Sequence, residues 1–127
     1  MAWSPAYTYR AEITRVVDGD TVDAVVDLGF GVTMPQRLRL LNINAPEMVG
    51  KSKAEGIAAR EHLVKLLRDH TLYLESEIAV VAIRSHKDKA DSFGRYLAEL
   101  MGVDDEGRLI NLNDRMVADG HAVEDIR

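Results

Sequence analysis

The chain has no cysteine, which excludes disulfide scaffolds, thiolate zinc sites and cysteine nucleophiles. It has no apolar run of the length a membrane-spanning helix needs. Residues 1–10 carry neither the basic start nor the apolar core of a secretory signal. With Met1 as the native start, the sequence reads as that of a cytoplasmic protein with no membrane partner; a trimmed leader would leave secretion open. Repeats and low-complexity tracts are also missing. An excess of positive charge is missing too: 16 Lys and Arg stand against 21 Asp and Glu, a formal charge of -5. That balance argues against broad, non-specific adhesion to nucleic acid but allows a local basic cleft. What is present is the composition of a folded globular chain, 46% hydrophobic and 29% charged. At 127 residues it has room for one core, so residues 1–6 read as a flexible N-terminus and 7–127 as one domain.

Hydrophobic alternation marks the first elements. Tyr7, Tyr9, Ala11 and Ile13 alternate with polar residues in a strand reaching Val17. Asp18-Gly19-Asp20 is a turn, because short carboxylates bond their own backbone and glycine accepts positive φ. Val22 to Leu28 is a second strand, and Gly29-Phe30-Gly31 closes a hairpin into a third, Val32 to Ile43. Beyond Pro46, Ser52 and Glu55 have the spacing of a capping box, and Ala59, Leu63, Leu66 and Leu67 share one helical face with Gly56. Thr71 to Ile78 reads as a fourth strand that the apolar residues 79–83 can prolong. Ser85 to Ser92 reads as a polar loop and Phe93 to Gly102 as a fifth strand. Asn113 and Gly120 bracket a short second helix as its N-cap and C′ residues. The pattern is α+β, mainly β, and fits a five-stranded OB-type Greek-key barrel with two helices.

Three clusters carry chemistry. Asp18-Gly19-Asp20-Thr21 offers hard oxygen ligands to Ca²⁺ or Mg²⁺, with a plain turn as the alternative. In Arg37-Leu38-Arg39-Leu40, an arginine among apolar strand residues needs an anion partner, either a phosphate or a structural carboxylate. Glu47 follows Pro46 where the strand run ends, a common place for a catalytic group and equally for a bystander. The third cluster, Asp91-Ser92-Phe93-Gly94-Arg95-Tyr96, is by itself an ordinary turn into a strand.

The ordered set DGDT, RLRLLNINAPE, DSFGRYLA and NDRMVADGHA resembles the staphylococcal nuclease (thermonuclease) family over roughly Tyr9 to Val123. The resemblance implies an OB-fold barrel and Ca²⁺-dependent hydrolysis of DNA and RNA phosphodiesters. It implies that Arg39 and Arg95 grip phosphate and that Glu47 orients or deprotonates water. It further implies that Asp20 ligates calcium, with Asp18 as the nearby acid of the same turn. Asn44 stands where the family has a second aspartate, which gives up a charge and lowers metal affinity. Ala45 stands for a threonine whose contribution is a backbone carbonyl. Phe93 replaces a tyrosine beside the phosphate arginine, and Ile126 falls near a base-stacking tyrosine. Lys87 and Lys89 join Phe93 as candidate substrate contacts, with a solvated mixed-charge loop as the alternative. The family's C-terminal helix has no counterpart before Arg127, so a repacked N-terminus around Trp3, or a homodimer through the exposed C-terminal edge, is expected. The enzyme reading is a Ca²⁺-dependent nuclease. Its rivals are a catalytically weak or inactive OB-fold module binding nucleic acid or protein, and a structural domain of a larger assembly.

Overall fold

The computed structural model describes residues 7–75, 78–90 and 95–126, with backbone only for 73–75 and 87–90. The expected flexible segment 1–6 lies outside the described residues. The chain runs β1 (Thr8–Asp18), β2 (Thr21–Gly29), β3 (Val32–Leu40), β4 (Ile43–Asn44), a 3₁₀ turn (Gly50–Ser52), α1 (Lys53–Asp69), β5 (Tyr73–Glu75), β6 (Ile78–Ala90), β7 (Tyr96–Val103), β8 (Leu109–Asn111), α2 (Leu112–Ala118) and β9 (Val123–Glu124).

Five of these strands close a barrel. β1 pairs with β2, β2 with β3 and β6 with both β1 and β7, all antiparallel, and β3 pairs with β7 in parallel. Closure leaves the long strands without a free edge. The short β5 and β8 extend β6 and β7 at the margins. Inward-facing Ala11, Val22, Leu40, Ile83 and Leu100 are each nearly inaccessible to solvent. α1 lays Gly56, Ala59, Leu63, Leu66 and Leu67 on the barrel, the face its periodicity predicts. Among the described residues, no helix is long and apolar enough to cross a membrane.

Five local expectations need correction. The fourth strand is not continuous from Thr71 into 79–83: Tyr73–Glu75 pairs antiparallel with the start of β6, Ile78–Val80. The third strand stops at Leu40, because Asn42 turns the chain with φ 65°; Ile43–Asn44 then pairs with Val123–Glu124 instead. Ser52 makes no capping bond: its hydroxyl donates to the Glu47 carbonyl at 2.9 Å. Residues 85–90 are not a loop but the far half of β6, pairing with β7 across an irregularity between His86 and Ala90. Asn113 is not the N-cap of α2. Asn111 is, accepting the Asp114 N–H at 3.1 Å.

Asn113 instead sits inside the molecule, 1% exposed. Its amide donates to the carbonyls of Leu41 and Ala98 at 3.1 and 3.0 Å and accepts from the Leu100 N–H at 3.1 Å. One side chain thus satisfies three backbone groups where β3 has parted from β7, and fixes the turn that leads to the loop after β4. Replacing it with the near-isosteric leucine takes the side-chain partner from the Leu41 carbonyl and the Leu100 N–H, while the Ala98 carbonyl keeps the Leu41 N–H at 2.9 Å. Asn113→Leu should lower unfolding free energy by about 3 kcal/mol or more. A urea titration reads this as a lower midpoint with an unchanged slope.

Candidate phosphodiester site

The β1–β2 turn supplies the centre of the site. Asp18 Oδ1 accepts the Asp20 N–H at 3.0 Å, closing the turn. Asp20 is 7% exposed and carries one carboxylate oxygen to each side. Oδ1 accepts the Thr21 hydroxyl at 3.1 Å. Oδ2 accepts the Ala45 N–H at 2.8 Å and lies 3.3 Å from Nη2 of Arg39. The Asp20 carbonyl accepts the Leu40 N–H at 2.8 Å, so backbone and side chain of one residue hold the exit of β3 and the loop beyond β4 together.

Arg39, 5% exposed, is fixed at three points. Nη1 donates to the Leu40 carbonyl at 2.8 Å, while Nη2 faces Asp20 and reaches Asn44 Oδ1 at 3.4 Å. A guanidinium has five N–H donors, so this anchoring still leaves donors for a ligand. Arg95 comes from the start of β7, where its Nη1 approaches the Thr21 hydroxyl at 3.5 Å. Both expected arginines therefore converge on the Asp20–Thr21 step from opposite neighbours.

Glu47 stands apart. It is exposed, and its carboxylate makes no hydrogen bond or ion pair among the described residues. Its backbone, in contrast, is tightly located. A Cβ on Gly56 would collide with the Glu47 carbonyl and the Met48 nitrogen, and one on Gly19 would collide with Ala45 and Ala59. These two close approaches seat the metal-candidate turn, the Glu47 loop and the first turns of α1 against one another. Their signal in sequence is only the glycines themselves. Thr21, 1% exposed and touching both Asp20 and Arg95, is visible in sequence as a hydroxyl beside two carboxylates but not as the link to Arg95.

Arg37 and Arg84 are engaged away from this site. Arg37 is bound bidentately by Asp23 at 2.7 and 3.1 Å, and Arg84 pairs with Glu99 at 2.9 Å. Phe93 and the side chains of Lys87 and Lys89, expected to contact substrate, lie outside the described residues.

Electrostatics set the turn apart. Burial pushes the Asp20 carboxyl up to about 6, the Asp18 carboxyl beside it adds to the rise, and the Ala45 N–H and Arg39 oppose it. Two crowded carboxylates in a half-dry turn suit a hard cation with oxygen ligands. Of the expected donors, Asp18 and Asp20 share this turn, Ala45 meets Asp20 through its N–H, and Asn44 Oδ1 lies 3.4 Å from Arg39. The set is a sparse one. No group of three or more His, Cys, Asp or Glu side chains surrounds a common point among the described residues. Ala45 itself is tied to the turn through its N–H.

The family model described as "Staphylococcal nuclease homologue" matches residues 37–126, a span that includes Arg39, Asn44, Glu47 and Arg95. The chain is similar to Micrococcal nuclease of Shigella flexneri, 32% identical over 126 residues, covering 95% of this chain and 59% of that protein. It is also similar to Protein ParB of Escherichia coli, 41% identical over 76 residues, covering 58% of this chain and 38% of that protein. The chain thus spans well under two-thirds of the length of either relative.

A carboxyl whose folded pKa is raised stabilises the fold fully below its unfolded value and loses that contribution as pH rises through its folded value. For Asp20 the window runs from its ordinary value of 3.8 to about 6. In calcium-free buffer, the unfolding free energy of the wild type relative to Asp20→Asn should therefore fall as pH is raised through this window. Parallel denaturation series at several pH values measure it.

Proposed function

We propose that this chain, which belongs to the staphylococcal nuclease homologue family, is a Ca²⁺-dependent nuclease hydrolysing phosphodiester bonds of DNA or RNA. The observation that carries the reading is the convergence of two guanidiniums on one buried carboxylate turn: Arg39 at 3.3 Å from Asp20, and Arg95 at 3.5 Å from Thr21. Arg39 is immobilised by protein acceptors before any ligand arrives, which lowers the reorganisation needed when charge develops. Its remaining donors and those of Arg95 bind the non-bridging oxygens of one phosphate and neutralise them as the pentavalent transition state forms.

Glu47 is the group left to handle water. An exposed carboxylate on a backbone pinned by Gly56 has a fixed origin and a free tip, suited to orienting a water and taking its proton as the oxygen attacks phosphorus. Asp18 and Asp20 would hold the calcium ion, with Asn44 and Ala45 as neutral partners. A bound divalent cation supplies further positive charge to the phosphate oxygens. With a neutral amide at Asn44 already drawn toward Arg39, this donor set has fewer charges than two or three aspartates would bring. Half-maximal activity is accordingly set at millimolar Ca²⁺.

A second reading, a catalytically silent OB-fold module that binds nucleic acid, draws on two observations: the neutral Asn44 and the unpartnered Glu47 carboxylate. Cleavage of heat-denatured DNA over a Ca²⁺ titration separates them. The nuclease reading predicts cleavage that EGTA abolishes and that Glu47→Gln lowers by roughly 100- to 10,000-fold with the fold intact. Binding without turnover at every Ca²⁺ concentration would select the silent module.

A further inference from the structure

A cleft of about 320 Å³ lies between β1 and α1, lined in part by Arg15, Arg60 and Arg68 over Val64 and Leu67. No carboxylate lines it among the described residues. That is unusual in a chain whose acidic residues outnumber its basic ones by 21 to 16. Several arginines elsewhere are matched: Arg37 by Asp23, Arg84 by Glu99, Arg108 by Asp104 and Arg115 by Asp119. Arg15, Arg60 and Arg68 form no close ion pair among the described residues, although Asp23 stands opposite Arg15 in the β1–β2 ladder and Asp69 follows Arg68, both outside the cleft lining. Arg60 spends one donor, its Nε, on the Val16 carbonyl at 2.9 Å, which directs the guanidinium and leaves its terminal nitrogens for another acceptor. Three like charges around one cleft repel each other, and planar guanidiniums pair best with phosphate or carboxylate.

The cleft adjoins the candidate site. Val16, held by Arg60, precedes the Asp18 turn by two residues, and Ala59, next to Arg60, packs beneath Gly19. From there the arginines recede. Arg15 lies about 10 Å back along β1 from Asp18, at the rise of a strand. Arg68 lies about 14 Å along α1 from Ala59, at the rise of a helix. A single small anion fills one point, whereas three guanidiniums carried on backbone positions spread over that distance suit successive charges of a polyanion.

We propose that the β1–α1 cleft is a second nucleic-acid subsite, in which Arg15, Arg60 and Arg68 hold backbone phosphates of the strand that the Asp20 site cleaves, at nucleotides away from the scissile bond. This rests on the nuclease reading for the direction of the strand, and on the cleft's own charge for the binding. It gives a net acidic protein a local path for a polyanion without a basic surface overall.

The test is fluorescence anisotropy of a short fluorescein-labelled oligothymidylate in EDTA, where no turnover occurs, over a salt titration. Arg15→Ala/Arg68→Ala removes two exposed side chains and keeps the Arg60 anchor. Arg108→Ala, on the β7–β8 turn, controls for removal of a positive charge elsewhere, and thermal unfolding confirms that each variant is folded. The double variant should bind at least roughly tenfold more weakly. Its slope of log affinity against log salt should flatten by about 1.4, at about 0.7 for each of two single-strand phosphates no longer neutralised. Arg108→Ala should change neither. A double variant with wild-type affinity and slope, or one that differs no more than Arg108→Ala does, would overturn the assignment. So would a wild type that does not bind the oligonucleotide, or displacement of it by low-millimolar inorganic phosphate, which would make the cleft a free-phosphate pocket. Because binding is read without turnover, a protein that binds through the cleft and never cleaves would contradict the nuclease reading alone.

Discussion

The carboxylate of Asp20 is the interaction on which the site depends. A buried acid is costly unless its oxygens are satisfied, and here both oxygens are: Thr21 on one, Ala45 and Arg39 on the other. Those three partners come from three different parts of the chain. Satisfying one acid therefore draws the β1–β2 turn, the exit of β3 and the loop after β4 to a single point. Arg95 joins through Thr21, so β7 is tied in as well. Without the barrel's closure by the parallel β3–β7 pair, Arg39 and Arg95 would have no common neighbour.

On the proposed reading, the same arrangement would make the turn favour a cation. Arg39 favours the ionised form of Asp20, but burial and Asp18 outweigh it and push the carboxyl up to about 6. A divalent ion bound there, as proposed, would relieve what Arg39 alone does not. The neutral side chain of Asn44 limits how far that relief extends, since charge count largely sets the affinity of such oxygen sites.

Much of the architecture was legible in the sequence because it is written in periodicity. The alternation in β1 and β2, the helical face at Ala59, Leu63, Leu66 and Leu67, and Gly120 beyond α2, with φ 82°, are all local signals. The misreadings have local causes too. Residues 85–90 look like a loop because their mixed charges mask a strand that has run past the core. Ser52 and Glu55 have capping-box spacing, but a preceding 3₁₀ turn brings the Glu47 carbonyl to the Ser52 hydroxyl first. Two asparagines two residues apart each fit an N-cap, and only helical phase decides that Asn111 caps while Asn113 turns inward. In the candidate site, motif order nominates Arg39, Glu47, Arg95 and Asp20, whereas the Asp20–Ala45 bond spans 25 residues and leaves no pattern. The arginine cleft was invisible for the same reason: Arg15, Arg60 and Arg68 lie on two elements, and each alone reads as an ordinary solvated arginine.

The most direct measurement of the central claim is a calorimetric titration of Ca²⁺ into the wild-type protein and into Asp20→Asn at neutral pH. The account predicts one weak, millimolar-range site in the wild type and its loss in the variant, with the fold retained. Equal binding by both proteins, or no binding by a folded wild type, would contradict it.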